Sequence, residues 1–230
     1  MRQSSLASFL SAILACGFTA NEARAATFTA NFNDGAVPAG SAVFGNAVVE
    51  STGGVNDSGV LKLTKAINSQ QSSFVIEDFS AGAALSGATV TFKVRVGGGT
   101  STPADGFSFC WATDLPDGAW SEEGAGTGLT FAFDIYDNGG GEAPAIDIKY
   151  ANATLASTKV PIALLRTGTN FWDVLIRVKP NGTLDLVYNT NVVYTNFPIP
   201  GFAAITGGDS DLAPARVDST KTSGSTICRL

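Results

Sequence analysis

From residue 27 onward the chain is a succession of short runs in which apolar and polar positions alternate. Val90, Phe92, Val94 and Val96 share one face, and Thr91, Lys93 and Arg95 share the other. Trp172, Val174, Ile176 and Val178 repeat the alternation. The Pro180-Asn181-Gly182 turn then joins them to Leu184, Leu186 and Tyr188 as a hairpin. The pattern predicts strands over 27–32, 42–49, 60–64, 74–79, 88–96, 106–112, 129–136, 145–150, 171–178, 183–188 and 192–195. Clusters of Gly, Asn, Asp, Ser and Pro, such as Gly97-Gly98-Gly99, separate them, and only residues 162–166 suggest a helical turn. Many short strands joined by turn chemistry predict an all-β sandwich or barrel. Beyond Phe202 the alternation fades. Residues 206–230, rich in Ser, Thr, Asp and Lys, are expected to form an irregular tail.

The first 25 residues follow a different rule. Arg2 opens a short basic region, residues 6–18 are mostly apolar but too few to span a bilayer, and Ala23-Arg24-Ala25 is a small-x-small cleavage signal. Residues 1–25 therefore read as a secretory signal peptide cut before Ala26. This predicts a secreted or periplasmic protein with a single domain over residues 26–205. No second long apolar run follows, so no membrane insertion is expected.

Composition narrows the partners. Fourteen Lys and Arg stand against twenty Asp and Glu, a formal net charge of −6. Losing the leader, which carries Arg2, Arg24 and Glu22, makes the chain one unit more negative. Such a surface disfavours nucleic acid and anionic membranes and suits neutral ligands or cations. The absence of histidine removes Ser-His-Asp triads, imidazole acid–base catalysis and ordinary zinc chemistry. Cys16 leaves with the leader. Cys110 and Cys228 remain, either as a disulfide or as packed thiols.

The densest chemistry lies in residues 131–150. Phe131, Phe133 and Ile135 form an apolar face, so Asp134 emerges on the opposite side with Tyr136. Asp137, Asn138, three glycines and Glu142 follow. Next comes a strand in which Ile146 and Ile148 face the core and Asp147 faces away. Strand parity brings Asp134 and Asp147 near one another, with Lys149 or a cation between them. Two readings stay open here. The loop is a polar hairpin turn with Asp134 and Glu142 solvated, or it is a Ca²⁺ site. Calcium takes six to eight oxygens from carboxylates, amides and main-chain carbonyls. Asp134, the carbonyl of Tyr136, Asn138 and Glu142 supply those types.

A second segment adds context. Ala104-Asp105-Gly106 starts a strand with Phe107, Phe109 and Trp111 facing inward, and the glycine-rich loop around Gly124, Gly126 and Gly128 leads into Phe133-Asp134-Ile135-Tyr136-Asp137-Asn138. The ordered set A-D-G-x-x-F, glycine loop, F-D-x-Y-x-N resembles the legume-type (L-type) lectins of the concanavalin A-like lectin/glucanase superfamily, over residues 88–194. The loop "DNGGGEAP" is more similar to bacterial secreted members than to plant lectins. The resemblance implies a jelly-roll β-sandwich of two antiparallel sheets with a glycan or polysaccharide site on its concave side. It implies that Asp105 binds sugar, that Gly126 or Gly128 donates a loop N–H, and that Asn138 contacts both sugar and calcium. Asp134 and the Tyr136 carbonyl would join Asn138 on the ion, with Glu142 in place of the family's later aspartate. The family's transition-metal site uses a glutamate where this chain has Ala132, and a histidine, so calcium alone is expected.

The superfamily's glucanases carry E-x-D-x-E on one strand. Here Ala145 and Lys149 flank Asp147, which favours a non-catalytic domain over a glycoside hydrolase. A structural or adhesive domain that uses calcium only for rigidity is the remaining reading. Trp120, in the polar loop 117–124, is either a stacking platform for sugar or a ring folded onto the core.

Overall fold

The computed structural model describes residues 26–80, 85–202, 215–220 and 226–229. The signal-peptide reading of residues 1–25 falls outside them. In chain order the strands are β1 (Ser41–Gly45), β2 (Val48–Glu50), β3 (Val60–Lys62), β4 (Gln71–Ile76), β5 (Ala88–Val96), β6 (Gly106–Trp111), β7 (Leu129–Asp134), β8 (Ala145–Tyr150) and β9 (Ala153–Lys159). A single helical turn, α1 (Ile162–Leu165), precedes β10 (Trp172–Val178), β11 (Thr183–Tyr188), β12 (Asn191–Pro198), β13 (Ala215–Thr220) and β14 (Thr226–Arg229). They form two antiparallel sheets, ordered β1-β4-β13-β6-β7-β8-β9 and β12-β11-β10-β5-β14-β3-β2. The architecture is a jelly-roll β-sandwich.

The inward positions of both sheets meet in one aromatic and aliphatic core. Phe107 and Phe133, opposite each other in β6 and β7, stack at 4.4 Å between ring centroids. Phe92 of the other sheet meets Phe107 edge-on at 6.5 Å. Each such ring stabilises the sandwich by roughly 2–3 kcal/mol through burial. β6 and β7 are buried on both faces, because the 121–128 loop folds over their outer side.

Four expectations differ from the structure. Residues 27–32 are not a strand. Ala30 and Phe32 are nevertheless buried, and the Phe32 ring sits edge-on to Phe74 at 5.7 Å. These apolar residues anchor an irregular segment whose backbone at Phe32 has φ +59°. The expected 42–49 strand is two strands: β1 lies in one sheet and β2 in the other, with a turn at Asn46-Ala47 that passes the chain across. β9 lies outside the predicted strands. It is an edge strand of small and polar residues, largely exposed, with no apolar stripe to betray it.

The expected irregular tail also differs. β13 lies between β4 and β6, and β14 lies between β5 and β3. These strands complete both sheets through backbone ladders, which a sequence such as Ala-Arg-Val-Asp-Ser-Thr hardly advertises. Cys110 in β6 and Cys228 in β14 belong to different sheets. Cys110 is a buried thiol that accepts the Ala125 N–H at 3.4 Å and the Thr130 hydroxyl at 3.5 Å.

Candidate functional site

The site is built at one end of the β6–β7 pair. Asp134 is the last residue of β7 and faces Gly106, the first of β6. Asp105 immediately precedes that glycine, and its carbonyl accepts the N–H of Ile135 at 2.8 Å. The Ala104–Asp105 peptide is cis. Gly106 is the residue the geometry needs: a Cβ there would lie 2.3 Å from the Phe133 carbonyl oxygen and 3.1 Å from the Asp134 Cα. Both aspartates are buried, each only 7% exposed.

Burial is costly for a carboxylate. It pushes the Asp134 carboxyl up to about 6, and the nearby carboxylates of Glu123, Glu122 and Glu142 push in the same direction. One interaction opposes them: the Tyr136 N–H donates to Asp134 Oδ1 at 3.1 Å. Asp134 is thus a desolvated anion in a field of like charge, an arrangement that a bound cation would relieve.

The loop beyond β7 turns back on itself. Asp137 Oδ1 accepts the N–H groups of Gly139 at 2.8 Å and Gly141 at 3.1 Å. Glu142 Oε1 accepts the Asn138 N–H. The Gly139 N–H, followed by the hydrogen bond with Glu142, holds the Asp137 carboxyl below the usual aspartate range. Gly139, Gly140 and Gly141 have φ of +127°, +89° and +75°, and a Cβ at Gly139 or Gly141 would meet nothing within 4 Å. These glycines serve the turn and not packing. Tyr136 is 40% exposed, and Asn138 and Glu142 are exposed.

The donors offered by Asp134, Tyr136, Asn138 and Glu142 are all oxygens, which suits a hard cation. Among the described residues no three His, Cys, Asp or Glu side chains gather around one point as a ready metal cage. The fit therefore rests on two carboxylates, Asp134 and Glu142, with the amide and main-chain oxygens of Asn138 and Tyr136.

The glycine loop plays a different part from the one its sequence suggests. Leu129 pairs with Trp111, so Gly128 lies at the far end of β6–β7 from Asp134, roughly 20 Å along the strands at about 3.3 Å per residue. A Cβ at Gly128 would sit 2.1 Å from the Trp111 carbonyl oxygen, and one at Gly126 would sit 2.8 Å from Ala112 Cβ and Asp114 Oδ1. Both glycines allow close packing at the loop's root. The part of the loop that reaches Asp134 electrostatically is Glu122-Glu123. Between them and the root, Gly124 (φ +78°) presses on the sheet, where a Cβ would lie 2.5 Å from Cys110 Sγ.

Glu123 pairs with Lys149. A cleft of about 250 Å³ opens beside them, lined by Gly124, Gly126, Thr130 and Asn152 among others. Lys149 is therefore engaged by the loop and does not lie between the two aspartates. Asp147 faces Ala132, and Asp134 faces Ala145, which makes the aspartates diagonal neighbours on one face. Asp147 Oδ1 is buried without a hydrogen-bond partner. Trp120 is half-buried, bridged to Ser72 and in contact range of Gly118. That bridge sets the Trp120 backbone beside β4.

Arg166, which no motif singles out, reaches this corner from the end of α1. Its Nη2 donates to the carbonyls of Pro103 and Ile135, both at 3.3 Å, clamping together the segments that carry Asp105 and Asp134. Tyr188, buried, donates its hydroxyl to the Leu165 carbonyl at 3.1 Å and so fixes the turn that presents Arg166. The only sequence signal was a lone arginine ending an apolar helical turn.

No protein-family model and no curated protein matches the chain. Solved structures do resemble it. The lectin of Bauhinia forficata in complex with GalNAc aligns with a TM-score of 0.60 and 14% identity, over 86% of this chain and 93% of that one. Lectin I-B4 of Griffonia simplicifolia, metal-free, aligns with a TM-score of 0.61 and 13% identity, over 88% and 97%. The Ca²⁺- and mannose-bound exoplasmic/lumenal domain of VIP36 aligns with a TM-score of 0.55 and 15% identity, over 83% of each chain. The fold is that of the L-type lectins.

Proposed function

We propose that this chain is an exported, calcium-dependent, non-catalytic carbohydrate-binding domain. Asp105 accepts hydroxyl hydrogen bonds from the sugar. Asn138 and main-chain N–H groups donate, and Trp120 offers an apolar ring. Calcium, held by Asp134, the Tyr136 carbonyl, Asn138 and Glu142, would neutralise the buried carboxylate and fix the 137–142 loop in a shape ready for ligand, lowering the ordering cost of binding.

The observation that carries this reading is the pair of buried aspartates held one register step apart across Gly106, with Asp134 raised to about 6 by burial and by surrounding carboxylates. The fold supports it, since the solved structures of similar shape include lectins described with GalNAc, mannose and Ca²⁺. A non-catalytic role is supported by Asp147, whose same-strand neighbours on its own face are Ala145 and an ion-paired Lys149. A glycan array probed with calcium and with chelator, on wild type and Asp105→Ala, tests it. Calcium-dependent binding that Asp105→Ala removes is expected. Binding to no glycan by a calcium-loaded, folded protein contradicts it.

A further inference from the structure

The outer face of the second sheet, on the opposite side of the sandwich, carries a separate pocket of about 340 Å³. That volume lies in the lower range of small-ligand sites. Its floor is Lys93 and Arg95, two successive outward positions of β5. In a chain of net charge −6 this is an unusual place to find paired cations.

Arg95 is half-buried, with its guanidinium carbon 5.6 Å from the centroid of the Phe171 ring. The ring face attracts the guanidinium from one side as a cation–π contact. Arg95 Nε is buried without a hydrogen-bond partner. Among the described residues, no carboxylate lies within ion-pair distance of Arg95. Lys93 pairs with Asp173, a carboxylate 74% exposed and so readily exchanged for another anion.

Both walls are braced before any ligand arrives. On one side the Gly53 N–H donates to Asp57 Oδ1 at 3.0 Å and the Gly54 N–H to the Ser58 carbonyl at 2.7 Å. On the other, the Thr167 and Gly168 N–H groups donate to the Val96 carbonyl at 2.9 and 3.2 Å. Asn56, Thr169 and Asn170 line the rim with amides and a hydroxyl, the groups that match sugar hydroxyls.

We propose that this pocket is a second saccharide site, specific for a carboxylate-bearing sugar such as a uronic acid unit, with Arg95 and Lys93 holding the carboxylate and the Asn56, Thr169 and Asn170 rim holding the ring hydroxyls. The site stands apart from Asp105 and Asp134 and does not depend on their reading.

The test is calorimetric titration of the full chain with digalacturonic acid, its dimethyl ester and inorganic sulfate. The free acid is expected to bind, and the ester at least roughly tenfold more weakly, since its charge-assisted hydrogen bonds to Arg95 and Lys93 are lost. Arg95→Met should abolish binding of the acid, Arg95→Lys should keep part of it, and Asp105→Ala should keep all of it. Lys93→Met and Asn170→Ala read the same pocket if Arg95→Met does not fold. Equal binding of acid and ester, acid binding unchanged in a folded Arg95 or Lys93 variant, loss of acid binding in Asp105→Ala, or sulfate binding as tightly as the disaccharide would each overturn the assignment.

Discussion

The carbonyl of Asp105 accepts the N–H of Ile135 at 2.8 Å, one step beyond the pairing of Gly106 with Asp134. That bond extends the β6–β7 ladder past its last regular pair and fixes two buried carboxylates in one corner of the sheet.

Removing charge at Asp134 should stabilise the metal-free protein. The folded carboxyl sits at about 6, against an ordinary value of 3.8. The native state therefore binds more protons than the unfolded state between those values, and stability falls as pH rises from about 4 to about 6. Above that window the buried charge costs about 2–3 kcal/mol, the lower figure allowing for solvent screening. Asp134→Asn keeps an acceptor for the Tyr136 N–H. Urea unfolding in chelator should show it more stable than wild type at pH 7, with the difference gone near pH 4. A destabilised variant at pH 7 would contradict the origin of the shift.

Calcium should reverse that ranking. A hundredfold excess over the dissociation constant adds about 2.7 kcal/mol, or roughly 5–10 °C in melting temperature for a domain of this size. The rise should vanish in Asp134→Ala and weaken as pH falls below about 6, where protons compete for the same carboxylate. Scanning calorimetry with and without the ion decides it; an equal rise in the variant removes Asp134 from the ligand set.

Gly124→Ala should loosen the loop over the sheet. The new methyl would meet Cys110 Sγ at 2.5 Å and Thr130 Cγ2 at 2.8 Å, at a backbone φ of +78°. Overpacking with a left-handed non-glycine residue costs about 2–4 kcal/mol. The expected readouts are a lower denaturation midpoint and faster labelling of the Cys110 thiol by a maleimide, located by mass spectrometry. Labelling as slow as in wild type would show that the loop does not shield that thiol.

Arg166→Met removes the bridge between the Pro103 and Ile135 carbonyls. About 1–3 kcal/mol of stability should be lost, and glycan affinity should fall more than calcium affinity, because Asp105 rides on the first of those segments and the ion's ligands on the second. Arg166→Lys should recover part of each. Unchanged glycan affinity in a folded Arg166→Met would reduce the residue to a packing role.

Much of the sandwich was legible because its strands obey a period of two. β5, β10 and β11 carry uninterrupted apolar stripes, and the Asn181-Gly182 turn marks its own hairpin. β9 and β13 were not legible, since small and polar residues at an edge, or in a strand identified only by its neighbours' backbones, leave no stripe. Phe32 misled in the opposite direction: an apolar run near the start looks like a strand, yet its ring is a plug and its backbone is left-handed. At the site, Asp105 and Asp134 could be picked out by residue type and order. Their separation by one register step, the clamp from Arg166 some 30 residues away in sequence, and the use of Gly126 and Gly128 for close packing all depend on register, which no short motif encodes.

Calorimetric titration of an array-selected glycan into the calcium-loaded protein, the chelated protein and Asp134→Ala decides whether calcium at Asp134 organises the saccharide site. Saccharide binding is predicted in the first and is predicted to be lost in the other two, while all three remain folded. A saccharide that binds equally well to all three, or a calcium-saturated protein that binds none, would contradict it.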